Sequence, residues 1–377
     1  MTKVQSATAI DVQYIARLRR AMLSWYRQHH RRLPWRAPPG ELGDPYRVLV
    51  SEAMLQQTQV ATVVAYYRRF VRRWATVHAL ARAREQDVLR LWQGLGYYRR
   101  ARHLHAAARM IVAEFDGQVP AAIGDLLQLP GVGRYTAGAI ASIAHGREAP
   151  ILDGNVARVL ARWFAIDAPI DAATTIRQLW LLAEQLVPRS NPGDFNQAMM
   201  ELGAMVCTPT SPSCLICPAR SHCQANKADM VDRLPVRSTR PKVVPVEHHV
   251  VAVARRGEFL FEQRDGTGLW ASMWQMPTWE QAPASDGRSP RIGPKRISHW
   301  LEQHTGLHVG SVKRIARFNH KTTHRAITFV VWRVDDCHGR LNRSTRIARE
   351  WRRLDAINDL PLAKPQQRVV SVFIKTT

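Results

Sequence analysis

The run Leu129-Pro130-Gly131-Val132-Gly133-Arg134-Tyr135-Thr136-Ala137-Gly138, followed by an alanine-rich stretch and then Asp153-Gly154-Asn155, constrains this chain more than any other segment. Two glycines two apart, between an apolar turn and a helix that opens at Arg134 or Tyr135, allow a tight hairpin. Its backbone N–H groups stay uncovered by side chains and can hold a phosphate. Asp153 comes 18 residues after Tyr135, beyond one helix and a break at Pro150, so it can return to the same end of that helix. The expected product is a carboxylate beside a phosphate-gripping loop. An ordinary glycine turn accounts for Gly-x-Gly alone; the full string with its aspartate is far more specific.

At 377 residues the chain is long enough for two cores, and two domains are expected. A net charge of +24 and a pI near 10.9 point to a polyanion as partner, nucleic acid first, with a membrane surface left open by charge alone. No run reaches the roughly 18 apolar residues of a spanning helix, and the N-terminus lacks a signal-peptide core. A cytoplasmic, nucleoid-associated protein is therefore expected. Cys207, Cys214, Cys217 and Cys223 follow the spacing C-x6-C-x2-C-x5-C in one short loop. Four thiolates so close suit one tetrahedral zinc or one cubane cluster, and a single central C-x2-C flanked by solitary cysteines suits the cluster better. Cys337 lies far away and reads as a free thiol.

Residues 11–28 place Ile15, Leu18, Met22, Leu23 and Trp25 at helical spacing. A basic loop follows, broken at Pro34. Residues 45–60 are helical in pattern and set Glu52 among Val48, Leu49, Met54 and Leu55. A carboxyl in that company tends to keep its proton and can act as a general acid, although a solvated helix residue is the plainer reading. Helical patterns continue through 70–74, 87–95, 101–115, 123–129 and 191–202. Between them Gly94-Leu95-Gly96-Tyr97-Tyr98-Arg99-Arg100 reads as a wedge into a base stack with phosphate contacts, or as a helix cap with a buried tyrosine. The first half is all-α. Residues 229–246, rich in Pro, Arg and Val, read as a linker. Beyond it, Val250–Val253 and Phe259–Phe261 form a hairpin pattern, 297–304 a helix and 326–334 a strand. The expected domains are 1–228, 247–377 and the linker between.

Taken with Leu33-Pro34-Trp35-Arg36 and Val50-Ser51-Glu52-Ala53-Met54-Leu55-Gln56-Gln57-Thr58, these motifs cover nearly the whole chain. It resembles the MutY family of adenine DNA glycosylases, in the helix-hairpin-helix (endonuclease III) superfamily. The resemblance implies an all-α helix-hairpin-helix catalytic domain whose loop 207–223 holds a 4Fe-4S cluster on the four cysteines, followed by an α+β Nudix-like recognition domain. It implies a monomer acting on double-stranded DNA with adenine opposite 8-oxoguanine or guanine. Glu52 would protonate the adenine, Asp153 would face the sugar, Tyr135 would hydrogen-bond near Asp153, and Asn155 would orient water. Arg36, Leu55 and Gln197 match adenine-pocket positions; Gln57, Thr58, Leu95 and Tyr97 match positions near the opposite strand; Gly131 and Gly133 form the DNA-gripping hairpin. The physics agrees, because breaking an N-glycosidic bond needs both a protonated leaving base and a carboxylate beside the cationic sugar.

Strand-nicking members of the superfamily carry a lysine where this chain has Tyr135, and a phenol forms no Schiff base. With no lysine in residues 129–153 a monofunctional glycosylase is expected. Against the Nudix pattern R-E-x-x-E-E-x-G, His299, Trp300, Gln303 and His304 stand where the arginine and the metal-binding glutamates would be, which argues against Mg²⁺-dependent hydrolysis. The family's 8-oxoguanine-sensing Phe-Ser-His element is matched to Phe318-Asn319-His320, with Asn for Ser. Residues 37–43 form a longer loop than usual, and Ala53 stands where Val is common. A bifunctional pyrimidine glycosylase/lyase and a non-catalytic DNA-binding or redox-sensing cluster protein are the alternatives; the Glu52 and Asp153 pair argues against the second.

Overall fold

The computed structural model describes residues 11–238, 243–281, 292–342 and 347–374. The chain forms two compact units. One runs up to Arg82 and resumes at His103 through the cysteine loop; the other combines Ala83–Arg102 with the described residues beyond 242. Among the described residues no helix is long and apolar enough to cross a membrane.

The first half is helical, and its elements start where the sequence supplies caps. Helix α1 (Val12–His29) begins at Asp11, whose side chain accepts from the Gln13 N–H, and buries Ile15, Leu18, Met22 and Trp25. Helix α2 (Pro45–Leu55) begins at Asp44 with Pro45 at its first position. Because α2 is buried on nearly every side, Glu52 goes inside with its apolar neighbours. There follow α3 (Val60–Arg73), α4 (Val77–Ala81), α5 (Glu85–Trp92), α6 (Arg99–Glu114) and α7 (Ile123–Leu126). The hairpin then leads into α8 (Arg134–Ile143), α9 (Gly154–Trp163), α10 (Ala173–Leu186), α11 (Pro192–Met205) and, after the cysteines, α12 (Gln224–Lys227). Arg19 of α1 closes the C-terminal end of α10, donating at 2.8 Å to the carbonyls of both Leu186 and Val187.

The return of Asp153 depends on Gly138. A Cβ built there would stand 2.1 Å from the Pro150 carbonyl oxygen, so only glycine lets the strand after α8 lie against that helix. The stretch expected as a linker is structured at both ends. Leu234 is buried, the Ile170 N–H donates to the Val236 carbonyl, and β1 already starts at Val244. A proline-rich run reads as linker by composition, yet its carbonyls are taken up by the first unit; residues 239–242 lie outside the described residues.

The second unit is a mixed sheet between helices. Strand β1 (Val244–Arg255) turns into β2 (Glu258–Gln263), as expected, with β3 (Trp274–Gln275) and β4 (Thr278–Gln281) after it. Helix α13 (Pro294–Thr305) leads to β5 (His308–Val309), β6 (Val312–Lys321), β7 (Arg325–Val334), β8 (Cys337–His338) and β9 (Arg349–Arg352), and α14 (Lys364–Ile374) closes the unit. The main sheet runs β3-β2-β1-β7-β6, with β1 and β7 parallel, β4 pairing β1 and β9 pairing β2; β5 and β8 pair apart. Strand alternation splits the core. Val250 and Ala252 face Val369 and Phe373 of α14, while Val251 and Val253 face Ile297 and Leu301 of α13.

Candidate active site

A cleft of about 500 Å³ opens in the first unit between α2, α8, α9, α11 and the loop after α1. Of the residues singled out in the sequence, Glu52, Tyr135, Asp153 and Asn155 line it together with Arg36, Leu55, Gln57, Thr58 and Gln197. Gly131 and Gly133 sit in the turn before α8. Gly131 has φ +78°, and a Cβ there would stand 2.6 Å from that of His103, which fixes it as glycine.

The two carboxyls meet in the cleft under different conditions. Glu52 is 4% exposed, and its Oε2 is buried with no hydrogen-bond partner. Burial pushes it up to about 7, helped by the charge of Asp153 and opposed by the Tyr135 hydroxyl and Arg36. Asp153 caps α9, accepting from the Val156 N–H at 2.7 Å and the Asn155 side-chain amide at 2.8 Å. Burial also raises Asp153, but those hydrogen bonds and the nearby Arg158 favour its charged form. Tyr135 donates to Met200 Sδ at 3.2 Å and, by burial first and then the Glu52 charge, is held well above the usual phenol range, so it remains a neutral donor.

Sequence reasoning missed Glu201 of α11. It is fully buried and takes a hydrogen bond from the Arg36 guanidinium at 2.8 Å, and from that of Arg31 at 2.6 and 3.0 Å. Burial alone would raise this carboxyl, but the two arginines outweigh it and bring it down to about 2. Arg36 is thus fixed in the cleft wall by Glu201. The signal was the one used for Glu52, a lone acid inside an apolar helical run, here Met199-Met200-Glu201-Leu202.

All four cysteines of the short loop line a second, smaller cavity with Arg162, Trp163 and Asn226. Among the described residues no three His, Cys, Asp or Glu side chains converge as one metal ion requires. Tetrahedral zinc would draw all four sulfurs to about 2.3 Å from a common centre. Four cysteines lining one cavity suit a group that thiolates hold. Arg162, 1% exposed, donates to Cys207 Sγ at 3.2 Å, so an electron-rich sulfur group matches the donor set. Helix α9 spans the two sites: Asp153 caps its start, and Arg158 donates to both Asn155 Oδ1 at 2.9 Å and the Cys207 carbonyl at 2.7 Å.

In the second unit Leu95 is packed inside, whereas Tyr97, 49% exposed at φ +49°, is presented. Phe318, Asn319 and His320 lie within β6, where alternation sends Phe318 and His320 to one face and Asn319 to the other. Phe318 is buried and stacked on Phe329 with centroids 5.1 Å apart, and His320 lies against Trp270. Asn319 points outward and accepts from the Thr328 hydroxyl. The turn Thr322–His324 follows, between β6 and β7, where the Thr323 hydroxyl meets the Tyr97 hydroxyl at 3.2 Å. At the Nudix helix, His304 stands 2.6 Å from buried Glu262, which Arg349 also approaches.

Comparison with known proteins matches residues 50–185 to the HhH-GPD superfamily of base excision DNA repair proteins and 249–372 to the NUDIX domain. A thermostable thymine-DNA glycosylase structure resembles 57% of this chain over 98% of its own, with TM-score 0.51 and 27% identity. The human adenine DNA glycosylase is 52% identical over 222 residues, which are 58% of this chain and 41% of the human one. The rat relative is matched over 43% of its length, so the chain spans less than half of these two relatives. The adenine DNA glycosylase of Buchnera aphidicola subsp. Schizaphis graminum (strain Sg) is 30% identical over 93% of this chain and 97% of its own length. With that near full-length match, two family models along the chain and a cleft holding both expected carboxyls, the chain belongs to the adenine DNA glycosylase family.

Proposed function

We propose that this protein is a monofunctional DNA glycosylase of base excision repair that hydrolyses the N-glycosidic bond of adenine mispaired with 8-oxoguanine or guanine. The observation that carries the reading is the pair of carboxyls in one cleft with different surroundings, Glu52 buried with Oε2 unbonded and Asp153 accepting hydrogen bonds as the cap of α9. Adenine leaves the duplex at a cost of roughly a few kcal/mol. Glu52 gives its proton to N7 of the base, the bond to C1′ breaks, and the departing purine takes the bonding pair. Asp153 faces the cationic sugar, with Asn155 beside it to orient the water. That water adds to C1′ and its spare proton passes to a carboxylate of the pair, leaving an abasic site. No lysine lines the cleft, so the amine that strand cleavage through a Schiff base requires is missing there.

The cavity of Cys207, Cys214, Cys217 and Cys223 supports a 4Fe-4S group, which when bound would cross-link the loop and supply a one-electron couple. Recognition of the opposite base is assigned to Phe318-Asn319-His320, whose Asn319 is on the exposed face of β6, together with the turn Thr322–His324 and Tyr97. The turn is exposed, its hydroxyls and imidazole can donate and accept, and Thr323 already touches the strained, exposed Tyr97.

Single-turnover excision on duplexes with adenine opposite 8-oxoguanine, guanine, cytosine or thymine tests the whole reading. Release should be fastest opposite 8-oxoguanine, slower opposite guanine and negligible otherwise, and Thr323→Ala should narrow the first gap. Equal rates on all four duplexes would sink the assignment, and strong borohydride trapping would favour the pyrimidine glycosylase/lyase.

A further inference from the structure

Arg162 is a buried cation that no carboxylate neutralises among the described residues. It lies on the last turn of α9, and its five hydrogen bonds go to the carbonyls of Val231, Leu234, Thr208 and Pro209 and to Cys207 Sγ. Neutral carbonyls share the guanidinium protons but do not cancel its charge, and an uncompensated charge this deep is costly. The counter-charge must come from the sulfur side. Cys223 Sγ is close as well, 3.4 Å from the Arg162 carbonyl, so the residue borders two of the four cysteines.

We propose that Arg162 raises the reduction potential of the iron–sulfur group held by this loop, acting as a positioning residue through Cys207. The inference rests on the 4Fe-4S reading above. A donor aimed at a ligand sulfur, carried on a fixed positive charge in a water-poor site, stabilises the state with one more electron. Arg162 therefore resists oxidation of the group and keeps the loop intact where iron would otherwise be lost. The four carbonyls hold the guanidinium still, so this contribution does not relax away when the charge on sulfur changes.

The test uses the full-length holoprotein. Iron and sulfide content with visible iron–thiolate absorption come first, and a colourless, iron-free protein would remove the cluster reading itself. Potentiometric titration, in which the group gives one electron to the electrode and takes it back, then compares wild type with Arg162→Gln and Arg162→Lys. At the wild-type midpoint the Gln variant should show an oxidised-to-reduced ratio about tenfold higher, equivalent to about 59 mV for one electron. The Lys variant, still charged, should lie between the two. A Gln variant that retains its iron with an unchanged ratio overturns the proposal. Should the Gln variant lose its iron, electron–nuclear double resonance of the wild-type holoprotein grown on isotope-labelled arginine decides: a coupling from an arginine nitrogen supports the contact, and none overturns it.

Discussion

Glu52 shows what a buried carboxyl costs the fold. In the folded protein it titrates near 7 and its ordinary value is 4.5, so between these the folded state holds a proton the unfolded chain releases. Its contribution to stability is lost as pH rises through that window, in all about 3 kcal/mol. Glu52→Gln should therefore abolish base release yet melt higher than wild type at pH 8, with little difference at pH 4; a variant less stable at both would contradict the cost of burying this carboxyl. Single-turnover rates should fall as pH rises past about 7, where the acid loses its proton. Glu201 has the opposite sign. Held down to about 2 against 4.5, it stabilises the fold above 4.5 and that support is lost as pH falls toward 2. Glu201→Gln leaves Arg36 buried without its partner and should cost about 3–5 kcal/mol in a denaturant titration at neutral pH. Glu52 and Asp153 were legible because each carries its chemistry in its immediate neighbours. Glu201 was not, since its meaning depends on two arginines 165 and 170 positions away.

Elements, more than single side chains, bring the two carboxyls together. Helix α8 must be approached closely by the segment that ends in Asp153, and Gly138 is the point of contact. Gly138→Ala pushes that segment off α8, so excision should fall by more than the stability loss alone explains. Gly124→Ala in α7 is the control: nothing lies within 4 Å of its Cβ and its φ is not in the left-handed region, so folding should be nearly unchanged. Comparing thermal melts and single-turnover rates of the pair checks this; equal effects would show that close approach at α8 is not what sets Asp153. Element types were legible from periodicity for α1, α2, α6, α11, α13 and the β1–β2 hairpin, but α10, β6 and α14 were not read from the sequence. The surroundings of Phe318-Asn319-His320 were not legible in the same way: residue type gives the motif, but only the β6 register shows that Asn319 faces outward while Phe318 and His320 face Phe329.

At the scale of the whole molecule, the proposed function divides the work: charge would bring the chain to nucleic acid, and the cleft would act there. The excess is 54 Lys and Arg over 30 Asp and Glu, and among the described residues the ion pairs of the first unit with a fully buried acid converge on Glu201. Net positive charge favours phosphates, whose condensed counterions are released on binding. A protein that neutralises about six to ten phosphates loses about 10³–10⁵-fold in duplex affinity between about 50 and 200 mM salt. Duplex binding by the chain, measured by fluorescence anisotropy across that range, should follow a steep log-linear decline of this order. Single-turnover excision at saturating protein should barely change over the same range, because Glu52 and Asp153 are shielded from added salt by burial. A shallow affinity slope, or a chemical step as salt-sensitive as binding, would mean that the surface charge and the cleft do not divide the work in this way.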